Sequence, residues 1–265
     1  MIQVPEFEEA WLFDEPSLGR PLDTLILSDL HLGSEVSLAK GARRMLRAKR
    51  FRRLILLGDI FCDLNFRRLK KDHWEFLSYI RWLSNPKRDV EVVWVEGNHD
   101  QGLTDVMSHL VGVPVHQEYA WTLAGRRYLA IHGHQFDRFV INNAALSALG
   151  AFCFLQIQKL DSERKSFAKF LDRLNSSWLR LSPKVAAGAL AHAKIRGADT
   201  IFCGHTHQAM QTEQDGIFYF NSGCWANDDP TYVTVDENGV QIQHYWAERA
   251  ALDAGEAMAR LTAPI

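Results

Sequence analysis

The stretch TLILSDLHLG (24–33) runs from an apolar, β-rich segment directly into an aspartate and a histidine, Asp29 and His31. Four later segments repeat this arrangement. LILLGD ends on Asp59, VVWVEGNHD carries Asn98 and His99, YLAIHGH carries His132, and TIFCGHTH carries His205 and His207. Short continuous apolar runs bounded by Gly, Asp or Asn suit strands buried on both faces. Strands are therefore expected over 24–28, 54–57, 91–95, 128–131 and 200–203. A helical stretch with Leu38, Ala42, Met45 and Leu46 on one face separates the first two strands. A second, carrying Trp74, Leu77, Tyr79, Ile80 and Leu83, ends at Asn85-Pro86. Strand–helix–strand alternation predicts a parallel sheet, hence an α/β fold.

Further along, the pattern changes. From about 137 to 196 it becomes helical, with Val140, Leu146, Leu149, Phe152, Leu155 and Ile157 among the residues of a soft apolar face. A new helix is expected at Ser182-Pro183. This stretch reads as a helical insertion in a single domain covering 1–265, placed between the fourth and fifth ligand motifs. GIFYFNSG, PTYVTVDENG and VQIQHYW then read as consecutive antiparallel strands, the last two joined at Glu237-Asn238-Gly239.

Composition adds boundaries. The 265 residues carry a net charge of −2 and are 47% hydrophobic, which gives no global attraction to nucleic acid or membrane. Four scattered cysteines without a CxxC pair argue for a reducing compartment. The first residues lack an apolar signal core, and no run reaches the roughly 18 apolar residues of a spanning helix. A cytoplasmic protein is expected. Charge is uneven, however: KGARRMLRAKRFRR (40–53) contains no acid. It reads either as the solvated side of a surface helix or as a face drawn to anionic lipid or nucleic acid, so peripheral attachment to the inner face of a membrane stays open.

The ligand chemistry is mixed: carboxylates, imidazoles and one amide, with no thiolate. That suits Mn²⁺, Fe²⁺ or Zn²⁺ better than Ca²⁺ or a structural zinc. Asp29, His31, Asp59, Asn98, His132, His205 and His207 are too many for one ion but enough for two that share a carboxylate. Two ions about 3.5–4 Å apart can clamp a phosphoryl group for in-line attack. In open α/β sheets such residues converge where they follow the carboxyl ends of strands. The i, i+2 pairs in DLH and HTH would point the same way on extended backbone.

The order D-x-H, G-D, G-N-H-D, H, G-H-x-H resembles the calcineurin-like metallophosphoesterase superfamily over roughly 25–225. The resemblance implies a four-layer α/β/β/α sandwich. It implies that Asp29, His31, Asp59 and His207 hold one ion, and that Asp59, Asn98, His132 and His205 hold the other. It implies that His99 faces substrate and stabilises or protonates the leaving oxygen. Within the superfamily, SDLHLG, LILLGDIFCD and GHTHQA…YFNSGCW, with a helical stretch before GHTH, resemble the UDP-2,3-diacylglucosamine pyrophosphatase group of lipid A biosynthesis. That group releases UMP and a lipid monophosphate and holds acyl chains under a helical cap. The chain departs from its best-known branch in having His99 where arginine stands and HGH where HGD stands.

The remaining residues admit competing readings. Arg67 and Arg68 are candidates for substrate phosphate, since arginine pairs bidentately with phosphate oxygens. His134 is a support of the metal ligands, a substrate contact or a turn residue. Asp63 and Asp100 are expected to hydrogen-bond the ligands rather than bind metal. His73 and His192 lack ligand spacing and are taken as ordinary. The substrate expected is a phosphate-containing small molecule or lipid nucleotide. A nucleotide or nucleic-acid phosphodiesterase is the alternative, favoured by the basic stretches but weakened by the lack of interleaved aromatics for base stacking. A metal-binding scaffold without chemistry would be expected to lack a ligand, and none is missing.

Overall fold

The computed structural model describes residues 21–102, 108, 112–137, 182–246 and 248–249. Within them run β1 (Leu22–Leu27), α1 (Ala39–Arg47), β2 (Phe51–Leu57), α2 (Lys71–Leu83), β3 (Glu91–Val95), β4 (Val115–His116), β5 (Glu118–Leu123), β6 (Arg126–Ile131), α3 (Ser182–Arg196), β7 (Thr200–Cys203), β8 (Met210–Gln214), β9 (Ile217–Asn221), β10 (Thr231–Asp236) and β11 (Gly239–His244). One sheet has the order β11-β10-β1-β2-β3-β4 and the other β5-β6-β7-β9-β8. β1, β2 and β3 are parallel, as are β6, β7 and β9. All five strands read from the ligand motifs are present.

Alternation along these strands separates the core into layers. Leu25, Leu27, Leu54, Leu56 and Trp94 meet Ala42, Met45, Leu46, Phe76 and Ile80 of α1 and α2. The opposite side chains, Ile26, Ile55, Leu57, Val93 and Val95, meet Trp121, Tyr128, Phe202 and Phe220 of the second sheet. On that sheet's far face Leu129, Ile131 and Ile201 take Ala186, Ala189, Leu190 and Ala193 of α3. The order of layers is thus α/β/β/α. Strands covered on both faces account for the continuous apolar runs.

Three expectations need correction. The segment 217–221 does not pair with its successor: β9 lies in the second sheet, while β10 and β11 form a hairpin beside β1 in the first. The connection crosses between sheets because it donates hydrogen bonds to both. Ser222 N–H bonds the Cys203 carbonyl at 2.9 Å, and Trp225 N–H bonds the Asp29 carbonyl at 3.1 Å. Second, residues 182–196, read as the end of an insertion, form the outer helical wall of the sandwich, because their alanine-rich face fits closely on the second sheet. The apolar face at 140–157 lies outside the described residues. Third, Trp74 is 45% exposed; His73 and Phe76 turn inward instead. His73 Nδ1 lies 3.1 Å from the Gly33 N–H and 3.2 Å from that of Lys70, tying α2 to the first ligand loop. β4, β5 and β8 escaped the sequence reading. β8, MQTEQ, is mostly exposed and owes its form to pairing with β9.

Ile55 is fully buried between the two sheets. Ile55→Ala should destabilise the fold by about 2–5 kcal/mol, the range for truncating a buried aliphatic side chain. Urea unfolding of variant and parent, compared at equal slope, measures the difference.

Candidate metal centre

The motifs leave the carboxyl ends of β1, β2, β3, β6 and β7, and their side chains gather from both sheets. Backbone bonds continue past the strands. Asp29 N–H reaches the Gly58 carbonyl and His31 N–H the Asp59 carbonyl, both at 3.0 Å, and Leu32 and Cys62 add two more between the same loops. Asp29, His31, Asp59, His205 and His207 all take left-handed backbone, with φ of 51°, 49°, 50°, 66° and 53°. The expected extended backbone in DLH and HTH is therefore absent. Left-handed conformation is uncommon for non-glycine residues and concentrates where surrounding bonds enforce it. Its effect in HTH is to send the two rings to different places.

Two groups result. Asp29, His31 and His207 form one and Asp59, His132 and His205 the other, each with ligand atoms within 4.8 Å of one another. In the first, His207 Nε2 lies 3.1 Å from Asp29 Oδ1 and 2.9 Å from His31 Nε2. In the second, His132 Nε2 lies 3.4 Å from Asp59 Oδ2. Each carboxylate has one oxygen held by backbone. Asp29 Oδ2 accepts the His205 N–H at 3.0 Å, and Asp59 Oδ1 accepts the His99 N–H at 2.8 Å. The other oxygens, Asp29 Oδ1 and Asp59 Oδ2, face the imidazoles. The close approach demands glycine. A Cβ on Gly97 would meet the Asp59 backbone nitrogen at 2.2 Å, and one on Gly204 would meet Asp29 Oδ2 at 2.5 Å.

The donors fit divalent cations. Asp29 Oδ1, Asn98 Oδ1 and His132 Nε2 are buried without a hydrogen-bond partner. Each such orphan costs about 1–3 kcal/mol, which a coordinated ion would offset. His132 Nδ1 donates to the Leu57 carbonyl at 3.0 Å, which leaves Nε2 as the ring's lone-pair nitrogen. Burial opposes charge on both carboxylates, yet His207 and then His132 hold Asp29 well below the usual range, and His132 and His99 do the same for Asp59. Burial likewise opposes charge on His132, but the Asp59 carboxylate pushes it up to about 9. The pair attracts positive charge, whether proton or cation, so protons compete with metal here.

His99 stands at the rim of this centre. Its Nδ1 lies 2.8 Å from the Cys62 carbonyl and its Nε2 3.9 Å from Asp59 Oδ2. Asp100 is buried and accepts the N–H groups of Ile60 and Phe61 at 3.0 and 2.9 Å, bracing the loop that carries Asp59. Burial and then Asp59 push its carboxyl up to about 7. Asp63 corrects an expectation. It contacts the Asn65 N–H and, at 2.6 Å, the Arg68 guanidinium, because the chain turns outward after Cys62. Arg68 is thereby fixed, whereas Arg67 is exposed. His134 is only 8% exposed, its ring 5.4 Å from that of His132 and its Nε2 3.3 Å from the Gln101 amide. Burial and then His132 push its pKa down to about 3.

Two residues escaped the sequence reading. Asn221 Nδ2 donates to the Gly204 carbonyl at 2.6 Å and to Thr206 Oγ1 at 3.1 Å, clamping the GHTH loop. Its place in YFNSGCW was a usable signal. Asp137 Oδ2 lies 3.1 Å from His205 Nε2. Its signal was an acid closing the short turn that begins with the fourth motif. Cys62, Cys203 and Cys224 are buried, and burial pushes the Cys62 thiol up to about 12, so none is set up as a nucleophile. In the basic stretch, Arg43 pairs with Glu75, Lys49 with Glu248, and Arg53 with Glu91 and Asp23.

Gly97→Ala should displace Asp59 and strip bound metal. Elemental analysis after dialysis against Mn²⁺ should show the parent carrying two ions per chain and the variant clearly fewer. Equal content would mean that the loop relaxes without moving the carboxylate.

The model of the Calcineurin-like phosphoesterase family matches residues 22–209. Among solved structures, a zinc complex of Vps29 from Entamoeba histolytica is similar at TM-score 0.44 and 12% identity, covering 83% of this chain and 97% of that one. An archaeal phosphodiesterase is similar at TM-score 0.44 and 13% identity, covering 83% and 98%. A phosphoesterase-like protein of Streptococcus pneumoniae follows at TM-score 0.37 and 16% identity, covering 84% and 97%. No curated protein matches the chain. With most of its length spanned by the family model, the chain belongs to the calcineurin-like phosphoesterase family and is a metal-dependent phosphoester hydrolase.

Proposed function

We propose that this hydrolase cleaves the phosphoanhydride of a lipid-linked nucleotide, UDP-2,3-diacylglucosamine, to UMP and the lipid monophosphate. The observation that carries the hydrolytic part is the pairing of two carboxylate–histidine groups with the His99 ring at their rim. The lipid nucleotide is supported by the motif set SDLHLG, LILLGDIFCD and GHTHQA…YFNSGCW, with a long stretch between the fourth and fifth motifs.

Asp29, His31 and His207 would hold one ion, and Asn98, His132 and His205 the other, with Asp59 shared. Mn²⁺ is the proposed metal; Fe²⁺ and Zn²⁺ suit the same donors. When bound, the ions supply Lewis-acid stabilisation of the phosphoryl charge. His99 donates Nδ1–H to the Cys62 carbonyl, which orients the ring. Its Nε2 then delivers a proton to the leaving oxygen. Arg68, braced by Asp63, offers a positioned guanidinium to substrate phosphate. Among the described residues no helix is long and apolar enough to cross a membrane. Contact with anionic lipid through the basic α1 is part of the proposal. It predicts co-sedimentation with anionic vesicles at low salt, and a protein that stays in the supernatant would remove it.

Replacing His99 by Ala should lower kcat by about 10²–10⁴-fold, the usual contribution of a positioned proton donor, while both ions stay bound. Steady-state rates alongside metal analysis test this, and an unchanged rate would remove the proton-donor role. The substrate is tested by UMP release from UDP-2,3-diacylglucosamine with Mn²⁺-loaded protein and an Asp59→Ala control. Release that the substitution abolishes supports the assignment. Cleavage of a generic phosphodiester without UMP release would replace the lipid nucleotide by a nucleotide or nucleic-acid substrate.

A further inference from the structure

We propose that Asp137 is a positioning residue for the second group: by accepting the Nε2 proton of His205, it presents Nδ1 of that ring to a divalent cation. The inference rests on the reading of His205 as a metal ligand. Asp137 Oδ2 lies 3.1 Å from His205 Nε2, and both side chains are buried. A ring nitrogen that donates to a carboxylate carries hydrogen and has no lone pair for an ion, so the opposite nitrogen is the donor to metal. His132 shows the reverse arrangement. Its Nδ1 donates to the Leu57 carbonyl, and its Nε2 faces Asp59. Two histidines of one group would therefore bind through different nitrogens, each selected by what holds the other side of its ring.

The position of Asp137 is itself determined. It closes the short turn His134–Phe136, and its N–H bonds the His134 carbonyl at 3.1 Å. The turn is pressed against α3, where a Cβ on Gly188 would meet Phe136 Cβ at 2.9 Å. The outer helix thus locates the turn, the turn locates the carboxylate, and the carboxylate sets the ring. One segment, 132–137, supplies a ligand in His132 and the brace of another in Asp137. Carboxylates that hold ligating histidines raise ring basicity, and their loss typically weakens metal binding 10–100-fold.

The test uses the full chain and its Asp137→Ala, Asp137→Asn and His205→Ala variants. Mn²⁺ binding is measured by equilibrium dialysis, and His205 is observed by long-range ¹⁵N–¹H correlation in the Zn²⁺-loaded, ¹⁵N-histidine-labelled protein. The expected result is a 10–100-fold loss of affinity for one of two ions in Asp137→Ala, with the other ion and the melting temperature of the metal-free protein unchanged. Asp137→Asn, which keeps size and an acceptor oxygen, should fall between. The parent should show His205 protonated at Nε2. If His205→Ala loses one ion but Asp137→Ala binds both as tightly as the parent, the positioning role fails and the ligand reading stands. If His205→Ala keeps both ions, the ligand reading fails as well. A His205 ring without hydrogen on Nε2 would place Asp137 beside the ion instead and overturn the inference. Equal loss of both ions with a lower melting temperature would reduce Asp137 to a structural residue.

Discussion

Two buried carboxylates, Asp29 and Asp59, set the terms for the rest of this molecule. Removing a carboxylate from water is costly unless it is paired and hydrogen-bonded. Here each has one oxygen on a backbone N–H and the other facing imidazoles. The backbone donors come from His99 and His205, residues of other motifs, so the loops cannot be placed independently. Asp29 is held by the loop after β7, in the opposite sheet. A bond of this kind makes the relative placement of the two sheets part of the site.

Local strain follows from that constraint. Five of the ligand residues occupy left-handed backbone, which isolated chains avoid. The strain is tolerated because neighbouring loops bond each other carbonyl by amide past the ends of β1 and β2. Gly97 and Gly204 let main chain pass directly against the carboxylates where any side chain would collide. Beneath, the apolar interface between sheets, built on Ile26, Ile55, Val95 and Phe202, is the base on which the loops stand. The helices act at longer range: α2 through His73 on Gly33, and α3 through the turn that carries Asp137. Buried polar atoms left without hydrogen-bond partners, on Asp29, Asn98 and His132, are donors that cations would complete.

The sequence by itself determined the five site-forming strands, the helices α1 and α2, the parallel core and the donor set. These are local properties: a run buried on both faces must be apolar along its length, and a donor following such a run is carried to the sheet's edge. Tertiary structure alone decided what depends on partners distant in the chain. β9 joined the second sheet, and not the hairpin that follows it, because pairing is a choice among surfaces that exist only after folding. Backbone at DLH and HTH became left-handed because bonds to Gly58 and Asp59 and to the Asp29 carboxylate outweigh local preference. Asp63 turned to Arg68, while Asp137, unremarkable in sequence, met His205 68 positions away. Donor identity is written residue by residue; which donors share an ion depends on how two sheets meet.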